Sequence, residues 1–118
     1  MKIEQSQQGT VVVLTPVGAL VDDDTDVAKS PLAHFAQVLC GHIDKGRAKV
    51  IVDMNSVPFI ESEGLEMLLD ACERAAAKGG GVRIAHPSDI VNDILVATRL
   101  CAKIEVHNDL ADARRSLL

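Results

Sequence analysis

The densest group of potential metal ligands in the sequence is the acidic segment at residues 22–26, which reads Asp22-Asp23-Asp24-Thr25-Asp26. Carboxylates at alternate positions open the calcium loop of EF-hand proteins, which also needs a glycine at its sixth position and a glutamate at its twelfth. Counted from Asp22, those two positions hold Val27 and Ala33. The pattern is incomplete, and it predicts a solvated acidic loop that binds no metal.

Histidines and cysteines, the other common ligands and catalytic groups, are scattered along the chain. The sequence contains no H-E-x-x-H pattern, no C-x-x-C pair and no G-x-S-x-G nucleophile elbow. We therefore predict no metal, no cofactor and no enzymatic activity. The three unpaired thiols are expected to fill core space in a protein of the reducing cytoplasm. The residues concerned are His34, His42, His86, His107, Cys40, Cys72 and Cys101.

Length and composition exclude several classes of function. A chain of 118 residues and 12.6 kDa fits a single domain, residues 1–118. A net charge of −5 and an aromatic content of 2% argue against a nucleic-acid partner. An acidic chain is poorly suited to neutralise phosphates, and few aromatic side chains are present to stack on bases. No apolar run approaches the roughly 20 residues of a membrane span, and residues 1–8 have no apolar core of the signal-peptide kind. We expect a cytoplasmic protein that does not insert directly into membranes.

Ser62 has the chemistry and the position of a modification switch. It stands between Glu61 and Glu63 at the predicted start of a helix. A phosphate there would gain from the positive end of the helix dipole, so the fold would tolerate it. The added charge of about −1.5 to −2 would be costly to bury in an interface, and two neighbouring carboxylates increase that cost. The alternative interpretation is that Ser62 is only the N-cap of its helix.

Strands and helices alternate along the chain that positions Ser62. β-Branched runs predict strands at 11–15, ended by Pro16 and Gly18, and at 50–52, where apolar residues on both faces indicate a central position. Residues 2–7 predict an edge strand in a hairpin with the first run, and further strands are predicted at 82–85 and 104–106. The first helix is expected to begin with Ser30 as N-cap and to stop near Gly46, and the last to be capped by Asn108.

Apolar stripes predict which helix faces pack on this sheet. The predicted stripes are Leu32, Phe35, Ala36, Leu39 and Ile43 in the first helix, Leu65, Leu68, Leu69, Cys72 and Ala76 in the second, Ile90, Val91, Ile94 and Leu95 in the third, and Leu110, Ala113 and Leu117 in the last. The fold class that follows is α/β, a mixed sheet of about five strands with about four helices packed mainly on one face.

Residues 50–65 carry a family resemblance. A predicted strand ends in Asp53, and the stretch Phe59-Ile60-Glu61-Ser62-Glu63-Gly64-Leu65 opens the next helix. This combination resembles the STAS domain of anti-sigma-factor antagonists, whose hallmark is a buried strand ending in Asp and then Phe-x-[acidic]-Ser-x-Gly-Leu. The resemblance continues in order along the chain, in Gly18 and Leu20, in the glycine-rich helix end at 79–82, in the third helix at 87–95 and in the C-terminal helix at 108–118.

Four features depart from the family pattern. Glu61 replaces the usual Asp, and Glu63 replaces a small residue. Arg99 stands where a glycine commonly precedes Leu near the end of the third helix, and the acidic loop after Leu20 is longer than usual. We expect the STAS scaffold to survive these changes and the recognition of a standard kinase partner to be the property that they affect.

The resemblance implies a partner-switching function without catalysis. In the family, the serine at the position of Ser62 is phosphorylated by an anti-sigma factor of the histidine-kinase-like ATPase type, and a phosphatase resets the switch. The unphosphorylated form binds the anti-sigma factor and frees the sigma factor. The alternative with the same fold is a constitutive subunit of a membrane transporter complex, such as a lipid-transport ATPase. The predicted partner-binding residues are Glu61, Ser62, Glu63, Gly64, Asp22, Asp23 and Asp24.

Overall fold

Five strands build one mixed sheet in the computed structural model, which describes residues 1–21 and 30–118. The first two strands form an antiparallel hairpin whose turn contains Gly9 at a φ of +63°. From the second strand onward all neighbours are parallel, and the order across the sheet is the order along the chain. The strands are β1 (Lys2–Gln8), β2 (Val11–Val17), β3 (Lys49–Asp53), β4 (Gly81–Ala85) and β5 (Val106–His107).

This strand order places three of the four helices on one face. Parallel strands that follow one another in a constant direction are joined by right-handed crossovers, so every crossover helix lies on the same side. The main core accordingly holds buried residues of the first three helices, whereas the last helix packs Ala113 on the opposite face with Val11, Val13 and Ile51. The predicted mixed α/β sheet with helices mainly on one face is confirmed. The helices are α1 (Pro31–Asp44), α2 (Ser62–Ala77), α3 (Asp89–Ala97) and α4 (Leu110–Arg115), with a single 3₁₀ turn at Leu100–Ala102.

The central strand β3 shows why its sequence is apolar throughout. Val50 and Val52 belong to the main core, and Ile51 between them points into the smaller core beneath α4. All three are at most 1% exposed. The prediction of a central strand buried on both faces is confirmed.

Two strand boundaries differ from the prediction. β2 continues through Pro16 to Val17. Proline is tolerated there because the pairing of β2 with β3 ends at Leu14, so no hydrogen bond to β3 requires an N–H at position 16. β5 is Val106–His107 and not residues 104–106. Ile104 is buried in the main core without being part of the strand, so its apolar character reflects burial and not pairing.

Helix caps agree with the prediction in one case and differ by one residue in the other. The Ser30 hydroxyl oxygen accepts a hydrogen bond from Ala33 N–H at 3.2 Å, which confirms it as the N-cap of α1. The predicted cap Asn108 is wrong. Asp109 Oδ1 accepts from Asp112 N–H at 2.8 Å, and Asp satisfies this position as well as Asn does.

The packed face of α2 is rotated from the predicted stripe. Leu65 and Leu68 are buried as expected, but Ala71 and Ala75 complete the buried line, while Ala76 is exposed. The small alanines let α2 lie close to α1 and β4, and the larger side chains at 69 and 72 are left half-buried beside that line. The predicted stripe was misplaced because it was drawn through the large apolar residues of α2.

Other residues predicted to be buried lie at the surface. In α3 only Val91 and Leu95 are buried, and Ile90 is 60% exposed. The prediction that the cysteines fill core space is wrong for Cys101, which is exposed, whereas Cys40 is half-buried and the half-buried Cys72 packs against the main core. No helix within residues 1–21 and 30–118 is long and apolar enough to cross a membrane.

Arg99 ends α3 in a conformation that suits glycine. The helix closes with Thr98 as C-cap, and Arg99 follows at φ +60° and ψ +20°, with Leu100 buried directly behind it. A left-handed residue followed by a buried apolar one is the usual helix stop, and glycine is preferred there because it has no Cβ. The family resemblance described above implies a glycine at this position.

We expect Arg99→Gly to raise the free energy of unfolding by about 0.5–1 kcal/mol, because relief of the left-handed strain exceeds the added flexibility of the unfolded chain. The matched control is Lys103→Gly, an exposed basic residue at φ −112°, which should lower stability. Denaturant unfolding of the three proteins measures both effects. Equal losses from both substitutions would contradict the strain at Arg99.

Candidate functional site

Ser62 lies at the edge of the sheet where the parallel strands end. The segment that follows β2 runs beside the segment that follows β3, with Leu20 and Ile60 paired as an isolated parallel bridge. Leu20 N–H donates to the Phe59 carbonyl at 3.0 Å, and Glu61 N–H donates to the Leu20 carbonyl at 3.3 Å. Two backbone hydrogen bonds therefore hold the last residues before α2 against Leu20.

The loop from Met54 to Glu61 is held at further points. Met54 N–H donates to the Ala85 carbonyl at 2.8 Å, and Gly18 N–H donates to the Ser56 carbonyl at 3.0 Å. The Ser88 hydroxyl, at the N-cap of α3, donates to the Val57 carbonyl at 3.2 Å. Segments following β2, β3 and β4 thus brace one another, and together they set the direction in which α2 begins.

Ser62 is exposed, and its side chain does not cap its helix. Leu65 N–H donates to the Glu61 carbonyl at 3.1 Å, which makes Glu61 the N-cap and Ser62 the first helical residue. The interpretation of Ser62 as an N-cap is therefore wrong, because the helix starts one residue earlier than its hydroxyl would need. The Glu61 side chain makes no capping hydrogen bond either.

The other predicted partner-binding residues have different surroundings. Glu61 is half-buried, Glu63 is exposed, and Gly64 is buried. Two carboxylates thus flank the Ser62 hydroxyl along the chain, whereas Gly64 lies beneath this surface. Asp22, Asp23 and Asp24, with the rest of the acidic segment, lie outside the described residues. In the described parts of the chain no three His, Cys, Asp or Glu residues lie close enough to hold a metal ion.

Gly64 allows the first turn of α2 to approach the neighbouring segment. A Cβ at this position would lie 2.8 Å from Ile60 Cγ1 and 3.1 Å from the Leu20 carbonyl oxygen. Real Cβ atoms do not approach a carbon at 2.8 Å, so a side chain here must push Ile60 or Leu20 away. The motif glycine therefore has a structural reason, since it keeps the Leu20–Ile60 pairing directly against the helix that begins with Ser62.

Sequence reasoning missed two features of this edge. Asp53 Oδ1 accepts from Asn55 N–H at 3.0 Å and lies 3.4 Å from His86 Nδ1, with His86 itself in a left-handed conformation at φ +51°. The motif aspartate thus shapes the turn after β3. Phe59 is 45% exposed while its neighbour Ile60 is buried, which leaves an aromatic side chain at the surface three residues before Ser62. The Phe59-Ile60 pair itself was the sequence signal for this exposure, since successive residues of an extended segment point to opposite sides.

Comparison with known proteins identifies the family. The STAS domain family model matches residues 2–113 of the 118-residue chain. The chain belongs to the STAS family. No curated protein matches this chain with significance.

Several solved structures resemble this STAS domain closely. A protein of Thermotoga maritima, described as a candidate anti-sigma factor antagonist, has a TM-score of 0.83 at 18% identity, with 98% of this chain and 93% of that chain covered. The anti-sigma factor antagonist SpoIIAA in its unphosphorylated form gives 0.74 at 16% identity, covering 99% of both chains. The phosphorylated form of SpoIIAA from Bacillus gives 0.68 at 14% identity, covering 98% and 99%. At these identities the likeness establishes the shared fold.

We expect Gly64→Ala to lower the free energy of unfolding by about 1–2 kcal/mol, because overpacking against Ile60 and Leu20 exceeds the gain in helix propensity. The matched control is Gly41→Ala in α1, where the new Cβ has nothing within 4 Å and should stabilise by about 0.5–1 kcal/mol. Thermal or denaturant unfolding compares the two. Gains from both substitutions would show that Gly64 is not needed for the close approach.

Proposed function

We propose that this chain is an anti-sigma-factor antagonist that switches partners through phosphorylation of Ser62. Its partner in this proposal is an anti-sigma factor of the histidine-kinase-like ATPase type, and a phosphatase restores the unphosphorylated form. The protein acts by binding and not by catalysis. The observation that carries the proposal is that Ser62 is an exposed residue at the first position of α2, within the family motif, whose side chain does not cap the helix.

The helix terminus gives the phosphate a favourable place in the folded protein. The first turn of a helix carries partial positive charge and N–H groups that lack intrahelical acceptors. A phosphate on the first helical residue adds about −1.5 to −2 of charge near that positive end. The loops around Ser62 are braced by backbone hydrogen bonds that do not use its hydroxyl, so the modification leaves them intact. Fold and modification are therefore compatible.

The same charge acts against a bound partner. Glu61 and Glu63 already make the neighbourhood acidic, which favours a partner with a basic surface. Once phosphorylated, Ser62 brings a third negative group that must be desolvated when the interface closes. Phe59 offers an exposed aromatic anchor next to this charged group. Support also comes from SpoIIAA, the structural neighbour solved in both phosphorylated and unphosphorylated forms.

Phosphorylation is tested by incubating the protein with its cognate kinase and ATP and locating the phosphate by mass spectrometry. We expect one phosphate, on Ser62, and none on Ser62→Ala. The matched control is Ser56→Ala, which removes a half-buried serine from the loop before α2 and should be phosphorylated like the wild type. Absence of phosphate from Ser62 under conditions in which the kinase is active would contradict the proposal and favour a constitutive subunit.

Removal of the hydroxyl should leave stability unchanged. We expect Ser62→Ala to alter the free energy of unfolding by less than about 0.5 kcal/mol, because the side chain is exposed and does not cap α2. Ser30→Ala is the matched control, since that buried serine does cap α1, and it should lose about 0.5–2 kcal/mol. A stability loss for Ser62→Ala as large as that for Ser30→Ala would show that the Ser62 hydroxyl stabilises the fold, which would contradict this prediction.

A further inference from the structure

A groove of about 290 Å³ lies between the edge strand β1 and helix α1. Gln5 lines it from the strand, and Gln37, His42 and Lys45 line it from the helix and its end. Arg47 completes it from the connection that leads into β3. Since Ser62 follows the carboxyl end of β3 and Arg47 precedes its amino end, the groove and the Ser62 surface lie at opposite ends of that strand.

A chain of hydrogen bonds fixes the arginine in this groove. Arg47 Nε donates to His42 Nδ1 at 2.8 Å, so the proton of the neutral imidazole sits on Nε2, which lies 2.8 Å from Gln5 Oε1. Burial lowers the pKa of His42, and the charges of Arg47 and Lys45 lower it further, which keeps the ring able to accept from the guanidinium. Because this bond uses only Nε, the two Nη groups of the fork remain to serve another acceptor.

The side chains of Lys45 and Arg47 are not needed to cap the end of helix α1. The last carbonyls of α1 accept from backbone N–H groups: Gly41 from Lys45 at 3.2 Å, His42 from Arg47 at 2.9 Å and Ile43 from Gly46 at 3.0 Å. The next carbonyl, that of Asp44, accepts from Lys78 Nζ at 3.4 Å. The helix end is therefore satisfied without the side chain of Lys45 or Arg47.

Among the described residues, neither cation forms an ion pair. Within residues 1–21 and 30–118, no carboxylate oxygen lies within ion-pair distance of Lys45 or Arg47. This is notable in a chain whose 17 acidic residues outnumber its 12 basic ones. Lys45 and Arg47, the second of them oriented by a hydrogen bond, thus both line a polar groove in which no carboxylate of the described residues pairs with them.

We propose that this groove binds a phosphate group, with Arg47 as a forked donor and Lys45 as the second positive charge. Two cations match a phosphate dianion better than a carboxylate, and the guanidinium fork fits two phosphate oxygens. The amides of Gln5 and Gln37 supply neutral donors at the rim. The volume suits a free phosphate or a small phosphate ester. The proposal does not depend on the role of Ser62.

The test is an NMR titration with inorganic phosphate at constant ionic strength, with chloride as the replaced anion. Constant ionic strength removes the screening changes that would shift surface signals on their own. We expect saturable shifts of the His42 ring and of the backbone amides of residues 41–47. The pKa of His42 should rise when phosphate is bound, because the dianion offsets the charges of Lys45 and Arg47. Parallel titrations with AMP and acetate distinguish a phosphate ester, free phosphate and a simple carboxylate.

Variants decide whether the named residues form the site. Arg47→Gln and Lys45→Gln should each weaken phosphate binding about tenfold or more, whereas Lys103→Gln, an exposed lysine elsewhere, should leave it unchanged. Arg47→Lys keeps the charge but loses the fork, and it guards against a folding defect of the glutamine variant. Shifts that do not saturate, that are equal with acetate, or that persist unchanged in Arg47→Gln and Arg47→Lys would overturn the proposal.

Discussion

The pairing of Leu20 with the residues before α2 is the constraint on which the functional surface depends. It brings a segment from the end of β2 against the loop that leaves β3, and it does so with backbone hydrogen bonds and not with side-chain chemistry. Gly64 permits the pairing because any Cβ there would intrude on Ile60. The position of Ser62 follows from this contact, since the helix that presents it begins where the pairing ends.

This arrangement separates what stabilises the protein from what the protein presents. The core beneath the site is made by residues such as Ile60 and Leu68, which are fully buried, and the caps that stabilise helices are Ser30, Ser88 and Asp109. Ser62 belongs to neither group. A residue that belongs neither to the core nor to the helix caps can gain or lose a charge with little effect on folding. The same change of charge alters the binding free energy of any interface formed around that residue. That asymmetry is what a binary switch requires.

Patterns that reflect burial on a regular sheet could be predicted from the sequence. The apolar run at residues 50–52 indicated a central strand, and the alternation of strands and helices indicated the sheet and the side on which most helices lie. The face of α2 could not be predicted in the same way, because its contact line runs through alanines whose small size matters only when α1 is already in place. The exposure of Ile90 could not be predicted either, because an apolar stripe does not indicate whether a neighbouring element is long enough to cover it.

The candidate site was partly predictable for the same reason. The motif located Ser62 at a helix start, but whether its hydroxyl caps the helix is decided by one residue of register, and that register is set by the pairing with Leu20. The roles of Ser62, Glu61 and Glu63 in partner binding stay predictions. Asp22, Asp23 and Asp24 stay predictions as well, since they lie outside the described residues.

The most direct measurement of the central claim is the dissociation constant of the cognate kinase-type anti-sigma factor for the unphosphorylated and the Ser62-phosphorylated protein. The account predicts that phosphorylation weakens binding by about 5- to 150-fold, the range of a coupling free energy of about 1–3 kcal/mol, in a protein whose unfolding free energy is not lowered. Equal dissociation constants for the two forms would contradict it, because the surface around Ser62 would then bind its partner without regard to the charge on that residue.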